Sequence, residues 1–311
     1  MTVKTKSLLE RTLDIGCRIG NTPLLELLVP GFKKNVKLFT KAEWTNPGGS
    51  VKDRPAYQMV LGGIESGQFR LGKVLLDATS GNTGIAYAML GAAIGFKVKL
   101  VVPENVSMER KRILSAYGAE VVYSDPNMSS DGAIIEAKRL YEKDPEKYFF
   151  ADQYNNPHNW QAHYHSTAVE IWKQTEGRVT HFLSGLGTSG TCMGTGRRLK
   201  EFNPKIQVIA VEPDSPFHGL EGLKRMDSSI VPGIYDKNFP DQHRSVLTED
   251  AYRAVFHLAS TEGLLVGISS GAVYHAALQL CEELDESIVV IIFPDNADKY
   301  LSEKFWSGSW H

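Results

Sequence analysis

The sequence predicts an α/β protein whose two blocks are each built around a mostly parallel sheet. Three observations carry this expectation. Short apolar runs alternate with helix-length runs along nearly the whole chain, the rhythm of strand–helix–strand units. The apolar runs are near-continuous, as in Val-Ile-Ala-Val at 208–211 and Ile-Val-Val-Ile-Ile-Phe at 288–293, as in strands covered on both faces. Finally, Asp152-Gln153-Tyr154-Asn155-Asn156-Pro157 is a polar, turn-rich break between two such blocks.

Taken in chain order, a helix is expected at 53–66, where Ser50 or Asp53 can cap a start that follows a glycine turn. A strand at 74–77 and a helix at 83–94 come next, then a strand at 97–102 and a helix at 108–117. The strand at 120–123, the helix at 132–142 and the strand at 148–151 complete the first block. The second block reads as helix 160–174, strand 181–184, helix 190–202, strand 207–211, helices 249–260 and 272–284, and strand 288–293. The strand candidates are rich in Val, Ile, Leu and Phe and are often bounded by Gly, Pro or Asp. The domains expected are a smaller one over 1–150 and a larger one over 151–311, with residues from about 12 to 35 as a candidate crossing into the larger.

At 311 residues the chain can bury a large core. A formal net charge of −2 lacks the basic excess of an electrostatic nucleic-acid binder. No run of eighteen uncharged apolar residues occurs, so no membrane span is expected. The N-terminus is charged throughout and lacks the apolar core of a signal peptide. Cys17, Cys192 and Cys281 are far apart and have no metal-ligand spacing. A reducing, cytoplasmic setting is the simplest reading, with no metal.

Three loops share one design, small residues followed by a helix, which gathers unpaired N–H groups and the positive helix end at one point. The first is Asn46-Pro47-Gly48-Gly49-Ser50-Val51-Lys52-Asp53-Arg54. A lysine between a glycine turn and a helix is awkward for solubility alone, but apt if its amine must reach a buried aldehyde. The second, Thr79-Ser80-Gly81-Asn82-Thr83-Gly84, offers hydroxyls, an amide and backbone donors to a carboxylate. The third, Ser184-Gly185-Leu186-Gly187-Thr188-Ser189-Gly190-Thr191, makes a nest for a phosphate. Read singly, the first loop is explained as well by a surface turn, and the second better by a plain helix cap. The third also fits a dinucleotide fingerprint through Gly185, Gly187 and Gly190, with Glu212 as the ribose acid. A nicotinamide-dependent dehydrogenase explains one loop, whereas a lysine-bound phosphorylated aldehyde explains all three.

With Gly267-Ile268-Ser269-Ser270-Gly271, these motifs occur in an order that resembles the pyridoxal-phosphate cysteine synthases. Further matches at 19–25, 152–157 and 299–302 extend the likeness to nearly the whole chain. This is the fold type II family that includes the catalytic core of cystathionine β-synthase. Thr180-His181-Phe182 and the segment 217–236 resemble the cysteine synthase B branch and its O-phosphoserine sulfhydrylase relatives. The resemblance implies an active site in a cleft between two lobes, with the carboxylate loop on the smaller and the phosphate loop on the larger.

It also implies roles. Lys52 would form the Schiff base with pyridoxal 5'-phosphate and move the substrate α-proton. Asn82 would bond the cofactor's ring oxygen. Thr79, Ser80, Gly81, Thr83 and Gln153 would hold the substrate carboxylate. Gly187, Thr188, Ser189, Gly190 and Thr191 would cradle the phosphate, Ser189 standing where the family usually has glycine. Ser269 would face the pyridine nitrogen, with Ser270 open as the alternative. A serine there leaves that nitrogen largely unprotonated, a weaker electron sink that still suffices when the β-substituent leaves easily.

The implied reaction is β-replacement on an O-activated L-serine, O-acetylserine or O-phosphoserine, by a sulfide donor. It gives L-cysteine through an aminoacrylate. Cystathionine β-synthase-like and β-cyanoalanine synthase activities use the same scaffold. A homodimer is implied, with a serine acetyltransferase or a sulfur-carrier protein as candidate partners. A non-catalytic binding protein of this fold would be expected to lack the lysine, which is present.

Lys224 and Arg225 are adjacent cations in a segment that, by the resemblance, lies near the site entrance, and either could contact a phosphate leaving group. A solvated basic loop explains them equally well. His158, His163 and His165 do not share a helix face, so no metal site is expected there. Cys192 reads as packing, as does the aromatic tail 305–311.

Overall fold

The computed structural model describes residues 6–28, 35–79 and 81–308. Helix α1 (Leu8–Gly16) starts at a capping box in which Ser7 and Glu10 exchange side-chain-to-backbone hydrogen bonds. Strands β1 (Leu24–Leu27) and β2 (Val36–Ala42) follow. Next come α2 (Asp53–Glu65), β3 (Val74–Ala78), α3 (Asn82–Ile94), β4 (Val98–Pro103), α4 (Met108–Ala116), β5 (Glu120–Ser124), α5 (Ser129–Lys143) and β6 (Tyr148–Phe150). Beyond the polar break lie α6 (Pro157–Ala162), a π-helical turn (His163–Thr167), α7 (Ala168–Gln174), β7 (His181–Gly185), α8 (Gly190–Phe202) and β8 (Gln207–Pro213). The chain continues through β9 (Gln242–Val246), α9 (Thr248–Thr261), α10 (Ile268–Glu283) and β10 (Ser287–Phe293).

These strands make two sheets. The four-stranded sheet has the order β5-β4-β3-β6 and is wholly parallel. The six-stranded sheet has the order β1-β2-β10-β7-β8-β9, with β1 antiparallel at one edge. Helices cover both sheets and bury the apolar strands predicted from sequence. Val289, Val290, Ile291 and Phe293 of β10 are wholly excluded from solvent, as are Val208, Ile209, Ala210 and Val211 of β8.

The crossing segment differs from the expected 12–35 at both ends. Helix α1 stays with the four-stranded sheet, because Leu8 and Ile15 pack among Ala56, Met59 and Ile85. Strand β2 belongs to the other sheet, since it pairs in parallel with β10 from Val36 opposite Ser287 to Ala42 opposite Phe293. Three strands carry no apolar run to announce them: β1 is four residues long, Lys37 and Lys41 interrupt β2, and β9 is a polar edge strand. The helix expected at 160–174 is divided by the π-helical turn. Helix α10 begins at Ile268 rather than 272, so the Gly-Ile-Ser-Ser-Gly motif forms its first turn.

Where the chain returns from the six-stranded sheet into α2, a buried ionic cluster fixes its path. Arg54, near the start of α2, grips two carboxylates. Its Nε and Nη2 donate to Glu43 at 2.8 Å each, and its Nη1 and Nη2 donate to Glu170 at 2.6 and 2.8 Å. Lys41 donates to Glu170 at 2.6 Å and to the Thr22 carbonyl at 2.5 Å. Glu43 also accepts from Thr22 Oγ1 at 2.7 Å and from Asn46 Nδ2 at 2.9 Å, while Asn46 Oδ1 accepts the Gly20 N–H. Two cations thus balance two carboxylates. The Lys41 and Glu43 side chains are wholly buried and that of Glu170 is only 13% exposed. Burial alone would raise the Glu170 carboxyl, but Arg54 and Lys41 outweigh it and hold the group at about 2.

Removing one member of a buried pair leaves an uncompensated charge. Arg54→Met is therefore expected to lower the unfolding free energy by about 3–5 kcal/mol in urea titrations. Glu170 sets a pH dependence. Its folded pKa lies below the ordinary 4.5, so its stabilisation is full above that value and fades as pH falls towards 2. Urea titrations across that interval should show a shallower acid loss in Glu170→Gln than in the wild type.

Candidate functional site

A cavity of about 580 Å³ lies between the two sheets. Its walls include Thr79, Asn82 and Arg110 from the four-stranded side and Gly187, Lys224 and Ser269 from the six-stranded side, with Lys52 between them.

Lys52 sits at the residue before α2, where the positive helix end opposes a further cation. Its loop is held from outside. Val51 N–H donates to the Pro294 carbonyl at 2.8 Å, and buried Lys299 donates to the Gly49 carbonyl at 2.9 Å. Asp53 folds back to accept the Gly48 N–H, and a Cβ at position 48 would lie 2.5 Å from its other oxygen. Gly49 has φ +78°, in the left-handed region. Both glycines therefore have a steric reason. Burial pushes the Lys52 amine below its usual pKa, and the carboxylates of Asp295 and Glu43 pull it partly back. Lys41, Lys224 and Lys299 each have a hydrogen-bonded or ionic partner. Among the described residues Lys52 Nζ has none.

The carboxylate loop lies across the cavity at the start of α3. Thr79 Oγ1 accepts from the N–H groups of Gly81 at 3.0 Å and Gly84 at 3.2 Å, so its hydroxyl proton is left to donate elsewhere. Thr83 donates to Gln153 Oε1 at 2.7 Å, and Gln153 Nε2 donates to the Ala78 carbonyl at 2.5 Å. Below them the buried Asp77 accepts from Ala78 N–H, Gln153 N–H and Tyr87. Burial pushes that acid up to about 8. Thr79, Asn82, Thr83 and Gln153 all line the cavity. Ser80 lies outside the described residues.

The phosphate loop precedes α8. Gly187, Thr188 and Thr191 line the cavity, whereas Ser189 and Gly190 lie behind them. Ser189 has φ +69°, the region that glycine occupies at least cost, and its buried Oγ has no partner. A Cβ at Gly187 would sit 2.4 Å from the Gly222 carbonyl, and one at Gly190 would strike Asn159 Oδ1. The unspent helix-start donors, the orphaned Ser189 hydroxyl and the glycine-tight cradle fit a phosphate ester. At the other end, an available amine fits an aldehyde. Of the two serines, Ser269 lines the cavity, while Ser270 is fully buried with its hydroxyl 3.5 Å from the Asp295 carbonyl.

The two candidate cations separate. Lys224 lines the cavity, but its ammonium is paired with Asp131 of α5 at 2.5 Å. Arg225 points away, its guanidinium 3.0 Å from the carbonyls of both Pro213 and Asp214, where those acceptors hold it outside the cavity. The expectation of a substrate contact from Arg225 is therefore corrected. Glu212, the acid that a dinucleotide site would need, instead accepts the Met226 N–H at 3.2 Å.

Several residues in or beside the site were given no functional role by the sequence. Arg110 of α4 pairs with Glu221 across the cleft and lies 4.5 Å over the Tyr300 ring. Asn159 donates to Thr188 Oγ1 at 3.1 Å. His163 approaches Thr191 Oγ1 at 3.3 Å, and burial lowers its pKa to about 3, so it is neutral near pH 7. Cys192 is buried, with its thiol pushed up to about 12. Phe305 stacks on Tyr252 at 4.7 Å, and both line the cavity. Residues 309–311 of the tail lie outside the described residues.

A family model described as a pyridoxal-phosphate dependent enzyme matches residues 17–295. The chain is 52% identical to the cysteine synthase of Aquifex aeolicus over 296 residues, covering 93% of this chain and 90% of that one. It is 42% identical to the cysteine synthase B of Pseudomonas aeruginosa, covering 91% and 94%. The crystal structure of O-acetyl serine sulfhydrylase isoform 3 from Entamoeba histolytica superposes with a TM-score of 0.87 at 36% identity, covering 99% and 95%. The chain belongs to the pyridoxal-phosphate-dependent enzymes, in the family shared by cysteine synthases and cystathionine β-synthases.

Proposed function

We propose that this protein is a cysteine synthase that replaces the acetoxy group of O-acetyl-L-serine with sulfide. The observation that carries the reading is the partnerless Lys52 amine facing a carboxylate-binding loop in one cavity. When bound, the cofactor withdraws electrons from the substrate's α-carbon. The chain's own groups do the rest. Lys52 holds the cofactor and then carries the α-proton, a task suited to an amine that burial makes easier to deprotonate. Thr79, Thr83 and Gln153 hold the substrate carboxylate at the start of α3. The loop before α8 anchors the phosphate, with Asn159 and His163 fixing its threonines.

The choice of donor rests on charge. Arg110 and Lys224 line the cavity, but each already has a carboxylate, Glu221 and Asp131. A phosphate leaving group would have to displace one of these pairs, whereas an acetyl ester needs no added cation. The homodimer belongs to the same reading, as a family property.

Lys52→Ala is expected to lose at least about 10²–10⁴ of turnover; retention of ordinary turnover would end the proposal. Gln153→Ala should raise KM for O-acetylserine by about 10-fold or more with a smaller change in kcat, from loss of a hydrogen bond to a charged group. Initial rates with both donors should favour O-acetylserine, and Arg225→Ala should leave their ratio unchanged. A selective loss of phosphoserine turnover in Lys224→Ala would instead assign that cation to a phosphate.

A further inference from the structure

One buried carboxylate joins the start of α3, the lysine loop and the residue before α10 at the Lys52 end of the cavity. Asp295 follows β10 and is fully excluded from solvent. Its Oδ2 accepts from Asn82 Nδ2 at 2.7 Å and from the Tyr300 hydroxyl at 2.6 Å. Its Oδ1 is buried and has no hydrogen-bond partner. Its backbone bridges Ser50 in the lysine loop and accepts the Gly267 N–H at 3.1 Å. Gly267 is itself explained by this acid, because a Cβ there would lie 2.1 Å from Asp295 Oδ1.

We infer that Asp295 is a positioning residue: its carboxylate orients the Asn82 amide and places a buried negative charge beside the lysine loop. The inference rests on the reading of Lys52 as the cofactor-holding residue. An amide nitrogen carries two protons. With one on Asp295, the other is left to reach a ring oxygen of the cofactor, and the amide cannot flip without breaking a charge-assisted bond. The remaining charges around Lys52 leave this role to Asp295. Glu43 also raises the amine, but it is already matched by Arg54. His163 is neutral at working pH, and Arg110, near Asp295, is paired with Glu221. Tyr300 shares Oδ2 with Asn82, and its donor partly quenches the acid's charge.

The test follows the visible absorbance of protein loaded with pyridoxal phosphate against pH, with circular dichroism as the check on folding. Asp295→Asn removes the charge while keeping the shape, and the midpoint of the colour change should fall by about one unit. Tyr300→Phe removes a quenching donor, so the midpoint should move the other way. An Asp295→Asn midpoint equal to the wild type's would overturn the inference while leaving the Lys52 reading intact. Should Asp295→Asn fail to fold, Tyr300→Phe decides: an upward shift supports the inference, and none or a downward one overturns it. A wild type that takes up no cofactor would overturn both.

Discussion

The site depends on one buried contact, the two-pronged grip of Arg54 on Glu43. Glu43 lies just after β2, which is bound into the six-stranded sheet, and Arg54 lies at the start of α2, which packs against the four-stranded sheet. The residues between them are the lysine loop. Asn46 closes the near end on the same carboxylate, so both ends of the loop are tied to Glu43. The loop's glycines then make tight turns between fixed points, and Lys52 emerges between the sheets. Such a cluster is weak support for stability relative to an apolar core. Its worth here is that it sets one register for the chain between the two sheets.

The same economy of charge runs through the cleft. Lys41, Arg54, Arg110, Lys224 and Lys299 are all largely buried. Each meets a carboxylate or a carbonyl. Two of these contacts, Arg110 to Glu221 and Lys224 to Asp131, join helices of the four-stranded side to the 218–224 segment of the other. Asp131 also accepts the Ile230 N–H at 2.8 Å. Among the described residues, what remains for chemistry between the two loops is the Lys52 amine, without a partner, and a set of uncharged donors, the hydroxyls and helix starts that suit anionic groups.

Much of this was legible in the residues. The parallel strands announced themselves because a strand covered on both faces must be apolar throughout, as β8 and β10 are. Strands β2 and β9 did not, because β9 is an edge that meets solvent and β2, inside the sheet, must carry Lys41 inward to Glu170. The glycine loops were legible because close backbone approach leaves no room for a side chain, as Gly48, Gly187 and Gly190 demonstrate. Polar residues that act through distant partners left no such trace. Asp295 is 213 positions from Asn82, Arg110 is 111 from Glu221, and Lys224 is 93 from Asp131. Neighbouring residues cannot reveal such pairings. Lys224 and Arg225 show the limit well: adjacent in sequence and alike in charge, they point to different places because Lys224 meets Asp131 of α5, whereas Arg225 meets the Pro213 and Asp214 carbonyls and the nearby Asp227 carboxylate.

The central claim is that the fold leaves the Lys52 amine, in the cleft between the sheets, free to bind the cofactor. Borohydride trapping of the cofactor-loaded protein, followed by peptide mapping, tests it most directly. The account predicts pyridoxyl label on Lys52, with Lys41, Lys224 and Lys299 unmodified because their partners hold them. Label on any of those three in place of Lys52, or no stable label on the loaded protein, would contradict it.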